Sequence, residues 1–208
     1  MKVNQPKVSY CSVQNISDAI CSMNFSNAIF EENVYEYVNI NDVTFDACIF
    51  KNIDFSCIKL ENVDLIDVIF DGCDLSNQVF DMRGIHRVVF KNCRMFGTSF
   101  IDSSLVDITF VVCTTRYLNF SGTKVKNMLI SESDFSEATF METQFKNLEL
   151  VKVKFYKAEF LNVNLRDIDF SDCSIAGIIM DDFSLKGIVI DRFQALDLIG
   201  LFGVKIKE

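Results

Sequence analysis

Phenylalanine recurs here on a period of five. Of the 21 phenylalanines, 17 stand at residue numbers divisible by five, from Phe25 to Phe170. The other multiples of five from 20 to 190 are Ile, Leu, Val, Met or Tyr, with Thr115 the one exception, so 34 of 35 positions are large and apolar in one unbroken register. Neither ordinary element accepts this spacing. On a helix a step of five turns the side chain by about 140°, which spreads the apolar residues around every face. On a strand, successive members point to opposite faces. A chain that turns a corner every five residues resolves the conflict, because each anchor then points to a common axis. Repeats this short bury themselves only by stacking.

The remaining positions agree. Two residues before each anchor the chain is mostly small or apolar, as at Ala28, Val43, Cys48, Val68, Cys73, Cys93, Thr98, Ser103, Cys113 and Ala138, and between residues 18 and 192 only Asp18 and Arg83 place a charge there. Two residues after the anchors, from residue 27 to residue 187, 20 of 33 positions are Asp, Asn or Gly, the types that tolerate left-handed turn conformations. That position reads as the corner.

The pattern resembles the pentapeptide repeat proteins, whose consensus is Ala-(Asp/Asn)-Leu/Phe-(Ser/Thr)-x. Close matches are Cys73-Asp74-Leu75-Ser76-Asn77, Ser133-Asp134-Phe135-Ser136-Glu137 and Ile168-Asp169-Phe170-Ser171-Asp172. The resemblance spans about residues 18 to 192. It implies an all-β fold, a right-handed quadrilateral parallel β-helix with 20 residues per coil. Divided on that basis, residues 1–17 form an N-terminal cap segment, 18–190 a β-helix of about nine coils, and 191–208 a C-terminal capping and dimerisation helix with a short strand. At strand spacing of about 4.8 Å per coil the rod is roughly 40 Å long.

In such a coil residues 20 apart become vertical neighbours. Phe30, Phe50, Phe70, Phe90 and Phe110 are expected to form an aromatic stack, and Cys73, Cys93 and Cys113 a ladder of thiols packed as small apolar groups. The eight cysteines contain no Cys-x-x-Cys pair, so reduced, buried thiols are expected rather than metal knuckles or redox dithiols. Gln78 and Arg83 break the inward pattern near Gly84 and His86, and Thr115 replaces an anchor; a local bulge that swings the polar group outward is the expectation at each.

Charge is uneven along the chain. The net charge is −9, but residues 31 to 81 alone carry twelve acids, Glu31, Glu32, Glu36, Asp42, Asp46, Asp54, Glu61, Asp64, Asp67, Asp71, Asp74 and Asp81, against Lys51 and Lys59. Over about 2.5 coils this is one charge per roughly 1.2 Å, against about 1.7 Å for duplex DNA. Shared among four sides, it reads as a belt that serves solubility or a partner. In the other half, Lys126, Lys146, Arg166 and Lys186 lie 20 apart and form a cationic column, with Asp107 and Asp167 expected to neutralise it locally. Ile29, Ile49, Ile69 and Val89 precede their anchors at an outward position and stack into an apolar ribbon, expected to be covered by the N-terminal segment or by a partner.

The period changes after Ile190. Asp191 is placed to cap a helix on which Phe193, Leu196, Ile199 and Phe202 share one side with Ala195 and Leu198 beside it, Gly203 ends it, and Val204 to Ile206 reads as a strand. The run from Gln194 to Ile206 is similar to the Gln-Ala-x-x-Leu-x-x-Leu-Gly-hydrophobic ending of the quinolone-resistance (Qnr) branch. There the segment builds a tail-to-tail dimer, which implies an interface of Phe193, Ala195, Leu196, Leu198, Ile199, Phe202, Val204 and Ile206. The same branch binds type II topoisomerases by mimicking DNA, and many resistance members carry register-breaking loops that this sequence lacks.

These features bound the function. The longest apolar run is the seven residues Leu198 to Val204, against about 20 for a membrane span, and residues 1–25 are polar with no signal-peptide pattern, so a cytoplasmic chain without membrane contact is expected. His86 is the only histidine, no phosphate-cradling loop is present, and the carboxylates are scattered, so no catalytic site, metal or cofactor is expected. An acidic pI disfavours direct nucleic-acid binding. The leading reading is a homodimeric DNA mimic that binds gyrase or topoisomerase IV through Asp42, Asp46, Asp54, Glu61, Asp64, Asp67, Asp71, Asp74 and Asp81, with an effect on quinolone sensitivity. The alternative is a non-catalytic scaffold that holds an unrelated protein on the Ile29, Ile49, Ile69, Val89 ribbon.

Overall fold

Residues 20 apart do lie one above the other. The computed structural model describes residues 2–204. Its strands are β1 (Ser12–Val13), β2 (Ser26–Phe30), β3 (Val38–Asn41), β4 (Thr44–Lys51), β5 (Ile58–Glu61), β6 (Asp64–Asp71), β7 (Gly84–Lys91), β8 (Ser104–Val111), β9 (Lys124–Ser131), β10 (Gln144–Val151), β11 (Glu159–Phe160) and β12 (Ile179–Met180). One parallel sheet runs in the order β1-β2-β4-β6-β7-β8-β9-β10, with Phe30 beside Phe50, Phe50 beside Phe70, Phe70 beside Phe90 and Phe90 beside Phe110. β3 pairs with β5 and β11 with β12, and isolated bridges such as Asp74 to Arg94 and Val79 to Ser99 close the other sides. The result is a parallel β-solenoid of about eight turns. The nine coils expected from length exceed this because the first stretch is helical. Helix α1 (Ile16–Ser22), capped by the Asn15 side chain on Ser17 N–H and Asp18 N–H, seats Ile16 and Ala19 on the open end of the core, and leaves Asp18 in solvent.

The corners fall where the sequence places them. Among the described residues, left-handed φ angles occur at 23 non-glycine and five glycine residues two positions after an anchor, and otherwise only at Met23 and Gly203, which close helical segments. At several corners the N–H three residues on donates to the anchor carbonyl, as from Gln78 to Leu75 and from Leu118 to Thr115, which makes the corner the third residue of a type II turn, where φ must be positive. Gly122 is further constrained by packing, since a Cβ there would overlap the Asp102 carboxylate of the coil before it.

Inside, phenylalanine stacks at about the spacing between neighbouring strands. Phe30, Phe50, Phe70, Phe90 and Phe110 follow each other at ring separations of 5.1, 5.0, 5.4 and 4.9 Å. A second column, Phe80, Phe100, Phe120, Phe140 and Phe160, stacks at 5.3, 5.3, 5.3 and 4.4 Å and meets the first edge-on, as at Phe90 and Phe100, the geometry that the ring quadrupole favours. The four phenylalanines outside the register, Phe96, Phe183, Phe193 and Phe202, are all exposed. One anchor departs: Tyr35 is 88% exposed, because residues 31–37 leave the ladder and Val34 packs on the core instead. Asn33 spans the resulting gap, accepting from Asp54 N–H and donating to the Asn52 carbonyl.

Polar groups at the inward positions share one acceptor type. Thr98, Ser103, Thr123 and Thr143 donate to the carbonyls of Leu75, Phe80, Phe100 and Phe120, each 23 residues earlier. The thiols of Cys48, Cys73, Cys93 and Cys113 do likewise to Phe25, Phe50, Phe70 and Phe90. Burial pushes the Cys48 thiol up to about 12, so Cys48 acts as a packed donor. Thr115 is fully buried at its anchor position and donates to the Asp134 carbonyl. Two expectations are corrected here, since neither Thr115 nor Gln78 swings outward. Gln78 is buried, its amide donating to the Phe55 and Ile58 carbonyls and accepting from Leu60 N–H; a satisfied amide costs far less to bury than an unpaired one. Arg83 is half-buried, with Nε donating to the Asp81 carbonyl.

Candidate partner-binding surfaces

The acids separate by side once vertical neighbours are considered. Glu31 pairs with Lys51, Asp67 with Arg87, Asp71 with Lys91 and Asp74 with Arg94, each across one coil, and Glu61 pairs with Lys59 along its own strand. Three of these cations lie beyond residue 81, outside the acidic window. Asking what stands 20 residues after each acid would have found them. The Asp67 pair is the most enclosed: Arg87 Nε and its terminal nitrogen reach the two carboxylate oxygens at 2.6 and 2.7 Å. Hydrogen bonding from Arg87 holds the Asp67 carboxyl below the usual range, against the opposing effect of burial.

The pairs neutralise particular columns and leave Glu32, Glu36, Asp42, Asp46, Asp54, Asp64 and Asp81 without an ion pair among the described residues. Of these, Asp42, Asp46, Asp64 and Asp81 all lie on or beside the face whose anchors are Phe45, Leu65 and Ile85. Asp64 accepts from Gly84 N–H and Asp81 from Ile101 N–H and the Ser99 hydroxyl, which fixes both carboxylates. Asp54 stands apart on another face, where it caps the 3-10 turn of Phe55–Cys57. The even belt expected from counting is therefore a lopsided one.

The apolar ribbon of Ile29, Ile49, Ile69 and Val89 is half-buried, and the N-terminal segment runs alongside it as an extended strap. β1 sets Val13 beside Ile29, the Cys11 thiol donates to the Ala47 carbonyl, Lys7 N–H donates to Asp67, and Asn4 donates through backbone and side chain to Asp107. The strap thus crosses successive coils down one corner. Desolvation pushes the Asp107 carboxyl up, but the hydrogen bonds from Asn4 and Asn127 with the nearby Lys126 charge hold it low overall. Sequence periodicity could not place the strap, since it lies across the repeat.

Lys126, Lys146, Arg166 and Lys186 are exposed and make no ion pair among the described residues. Asp107 is near enough to Lys126 to feel its charge, so the local neutralisation expected for this column is slight.

At the far end, α2 (Asp182–Leu185) and α3 (Gln194–Ile199) close the last coil. Asp191 accepts from Phe193 and Gln194 N–H while Gln194 reaches back to Asp191 N–H, a reciprocal cap. The Gln194 amide also donates to the Phe170 and Cys173 carbonyls, which ties α3 to the solenoid. Leu198 is buried against that end and Ile199 half-buried, whereas Phe193, Leu196, Phe202 and Val204 are large and exposed, with Ala195 between them. Beside them a cavity of about 340 Å³ is lined by Leu185, Ile188, Ile190, Ala195, Leu198 and Phe202. The strand expected over Val204 to Ile206, and Ile206 as an interface residue, lie outside the described residues. Among the described residues no helix is long and apolar enough to cross a membrane.

A family model described as a pentapeptide repeat region matches residues 63–140, and one described as pentapeptide repeats (8 copies) matches residues 39–77 and 133–172. No curated protein sequence matches the chain significantly. Among solved structures, full-length QnrB1, a plasmid-mediated fluoroquinolone resistance protein, is similar at 19% identity over 86% of this chain and 89% of its own, with a TM-score of 0.43. Rfr23, a pentapeptide repeat protein from the cyanobacterium Cyanothece 51142, aligns at 15% identity over 59% of this chain and 91% of its own, with a TM-score of 0.41. HetL, a pentapeptide repeat protein involved in heterocyst differentiation regulation in Nostoc sp. strain PCC 7120, aligns at 12% identity over 79% and 88%, with a TM-score of 0.40. A five-residue register with anchors inside, left-handed corners and matching family models establishes that the chain belongs to the pentapeptide repeat family.

Proposed function

We propose that this chain is a homodimeric, non-catalytic rod that binds the DNA-gripping surface of a type II topoisomerase, gyrase or topoisomerase IV, by presenting carboxylates in place of phosphates. The observation that carries the reading is the unpaired acidic side of Asp42, Asp46, Asp64 and Asp81, left after cross-coil pairs answer Asp67, Asp71 and Asp74. A surface that grips DNA reads backbone charge first, and fixed carboxylates on a straight rod offer that charge without the flexibility of a disordered acidic tail. Asp67 serves the strap in this scheme rather than the partner. The exposed Phe193, Leu196, Phe202 and Val204 supply the apolar contact for a tail-to-tail dimer. The resemblance of the C-terminal run to the Qnr ending supports the same pairing.

Titration into a gyrase supercoiling assay tests the proposal. Inhibition at micromolar protein, relieved by added DNA and weakened at least tenfold when Asp42, Asp46, Asp64 and Asp81 are all replaced by asparagine, is expected. Full supercoiling at every concentration, or an unchanged effect of the quadruple variant, overturns it. Quinolone sensitivity is a separate readout of the same titration, performed with drug present.

A further inference from the structure

On one side of the solenoid the backbone ladder opens once among the described residues. On the side carrying Val79, bridges run from Val79 to Ser99, Ser99 to Asn119, Asn119 to Thr139 and Thr139 to Glu159, and β3 pairs with β5 at the other end. No bridge joins residues 58–61 to 78–81. Within the regular coils Ser99 N–H donates to the Gln78 carbonyl, Phe80 N–H to Ser99, and Met82 N–H to Ile101. One coil earlier the matching bonds would leave Val79 N–H for Ile58, reach the Val79 carbonyl from Leu60 N–H, and leave Asn62 N–H for Asp81. The Gln78 amide takes the Ile58 carbonyl at 2.8 Å and Leu60 N–H at 3.1 Å in their place. Both backbone groups of Val79 and the N–H of Asn62 thus lack a backbone partner among the described residues.

The opening faces a groove of about 930 Å³ that runs along this side, with Tyr37, Val79 and Met82 exposed at its rim. Glu61 and Asp81 stand at one end of the side and Asp74 beyond the corner at the other, all three lining the groove. Gln78 is its floor. The chemistry is that of a strand edge with one free donor and acceptor pair, apolar contacts beside it and carboxylates at each end, of which Asp81 makes no ion pair among the described residues while Glu61 and Asp74 pair with the exposed Lys59 and Arg94.

We infer that this groove is a docking site for an extended peptide segment with basic side chains, taken from a protein partner. A strand laid along Val79 satisfies its N–H and C=O as a sheet neighbour would, and specificity comes from alternate side chains. Those facing the groove pack on Val79 and Met82, while a basic side chain at one end reaches the unpaired Asp81 and one at the other displaces the exposed Arg94 from Asp74, where charge-assisted hydrogen bonds are stronger than neutral ones. The site is separate from the acidic side used in the topoisomerase reading except for Asp81, so either stands without the other.

A fluorescently labelled six-residue peptide, with arginine at both ends and alternating threonine and valine between, is the probe. Saturable binding below 1 mM is expected, with at least fivefold weaker binding of the peptide that carries glutamate at both ends. Gln78→Thr, which keeps the bond to the Phe55 carbonyl in the manner of Thr98, lets the ladder close and should reduce binding at least tenfold. Val79→Lys, a change at an exposed rim position that leaves the fold intact, should do the same by charge. Hydrogen exchange gives a peptide-free check: the Val79 amide exchanges faster than the equivalent Ser99 amide in the native chain, and slows in Gln78→Thr and on peptide binding. No saturable binding, equal binding of the glutamate peptide, or full binding by Val79→Lys overturns the proposal.

Discussion

The coils before Gly84 and those from Gly84 to Phe160 obey the same period and differ in how strictly the backbone follows it. In the later coils every side is bridged and the strands β7 to β10 repeat without interruption. In the earlier ones residues 31–37 leave the ladder, a 3-10 turn occupies Phe55–Cys57, and Gln78 replaces ladder bonds. At Gln78 the cause is side-chain length at the inward position. A hydroxyl or thiol reaches the carbonyl 23 residues back and stops, as Thr98 does at Leu75. Glutamine at the same position makes that bond to Phe55 and then reaches the next carbonyl and amide as well. The anchors carry the fold through both regions, while the small inward residues decide whether adjacent coils stay closed.

The largest test of this contrast is at the shared anchors. Phe90→Ala removes a ring stacked on both sides and should cost about 3–5 kcal/mol, read as a lowered denaturation midpoint, whereas Phe183→Ala at an exposed site outside the register should change stability by less than about 0.5 kcal/mol. Comparable losses from the two would break the anchor account. At the capped end, Leu196→Asp places a charge among exposed apolar groups and should shift light scattering from dimer to monomer while leaving the far-ultraviolet spectrum unchanged.

In the earlier coils, Asp67→Asn deletes the bidentate pair with Arg87 and weakens the acceptor for Lys7, with an expected loss of about 2 kcal/mol and faster labelling of Cys11 by a thiol reagent. Acid should act on the same contacts. The Asp67 and Asp107 carboxyls are both held low, so they stabilise the folded strap above the unfolded aspartate value of about 3.9, and that contribution is lost as pH falls through their lower folded values. The Lys7 amide, followed by NMR, should therefore lose its bonded shift below about pH 4, before the phenylalanine core unfolds; simultaneous loss of both would place the strap inside the global transition. The smallest effect is expected in the later coils, at Val112, a β-branched residue held at φ 55. Val112→Asn should raise stability by about 1 kcal/mol or less, seen as a higher midpoint.

Much of the candidate surface was readable once the coil was known, because a 20-residue repeat turns sequence distance into spatial contact. The acids of the belt and the ribbon could be placed on columns this way. The cations Arg87, Lys91 and Arg94 that answer three of those acids were legible by the same arithmetic, but only when the search passes the end of the acidic window. The groove was marked in sequence by Gln78 alone. Its effect depends on rotamer and reach, which periodicity does not describe.

By itself the sequence determined the anchors, the corners and the stacking of Phe30 to Phe110, since one apolar residue in five has a single way to be buried and Asn, Asp and Gly mark where φ turns positive. Only the tertiary structure decided the path of the strap, the outward turn of Tyr35, the opening at Gln78 and the side on which acids remain unpaired. These depend on contacts made once, across the repeat rather than within it, so no period in the chain encodes them.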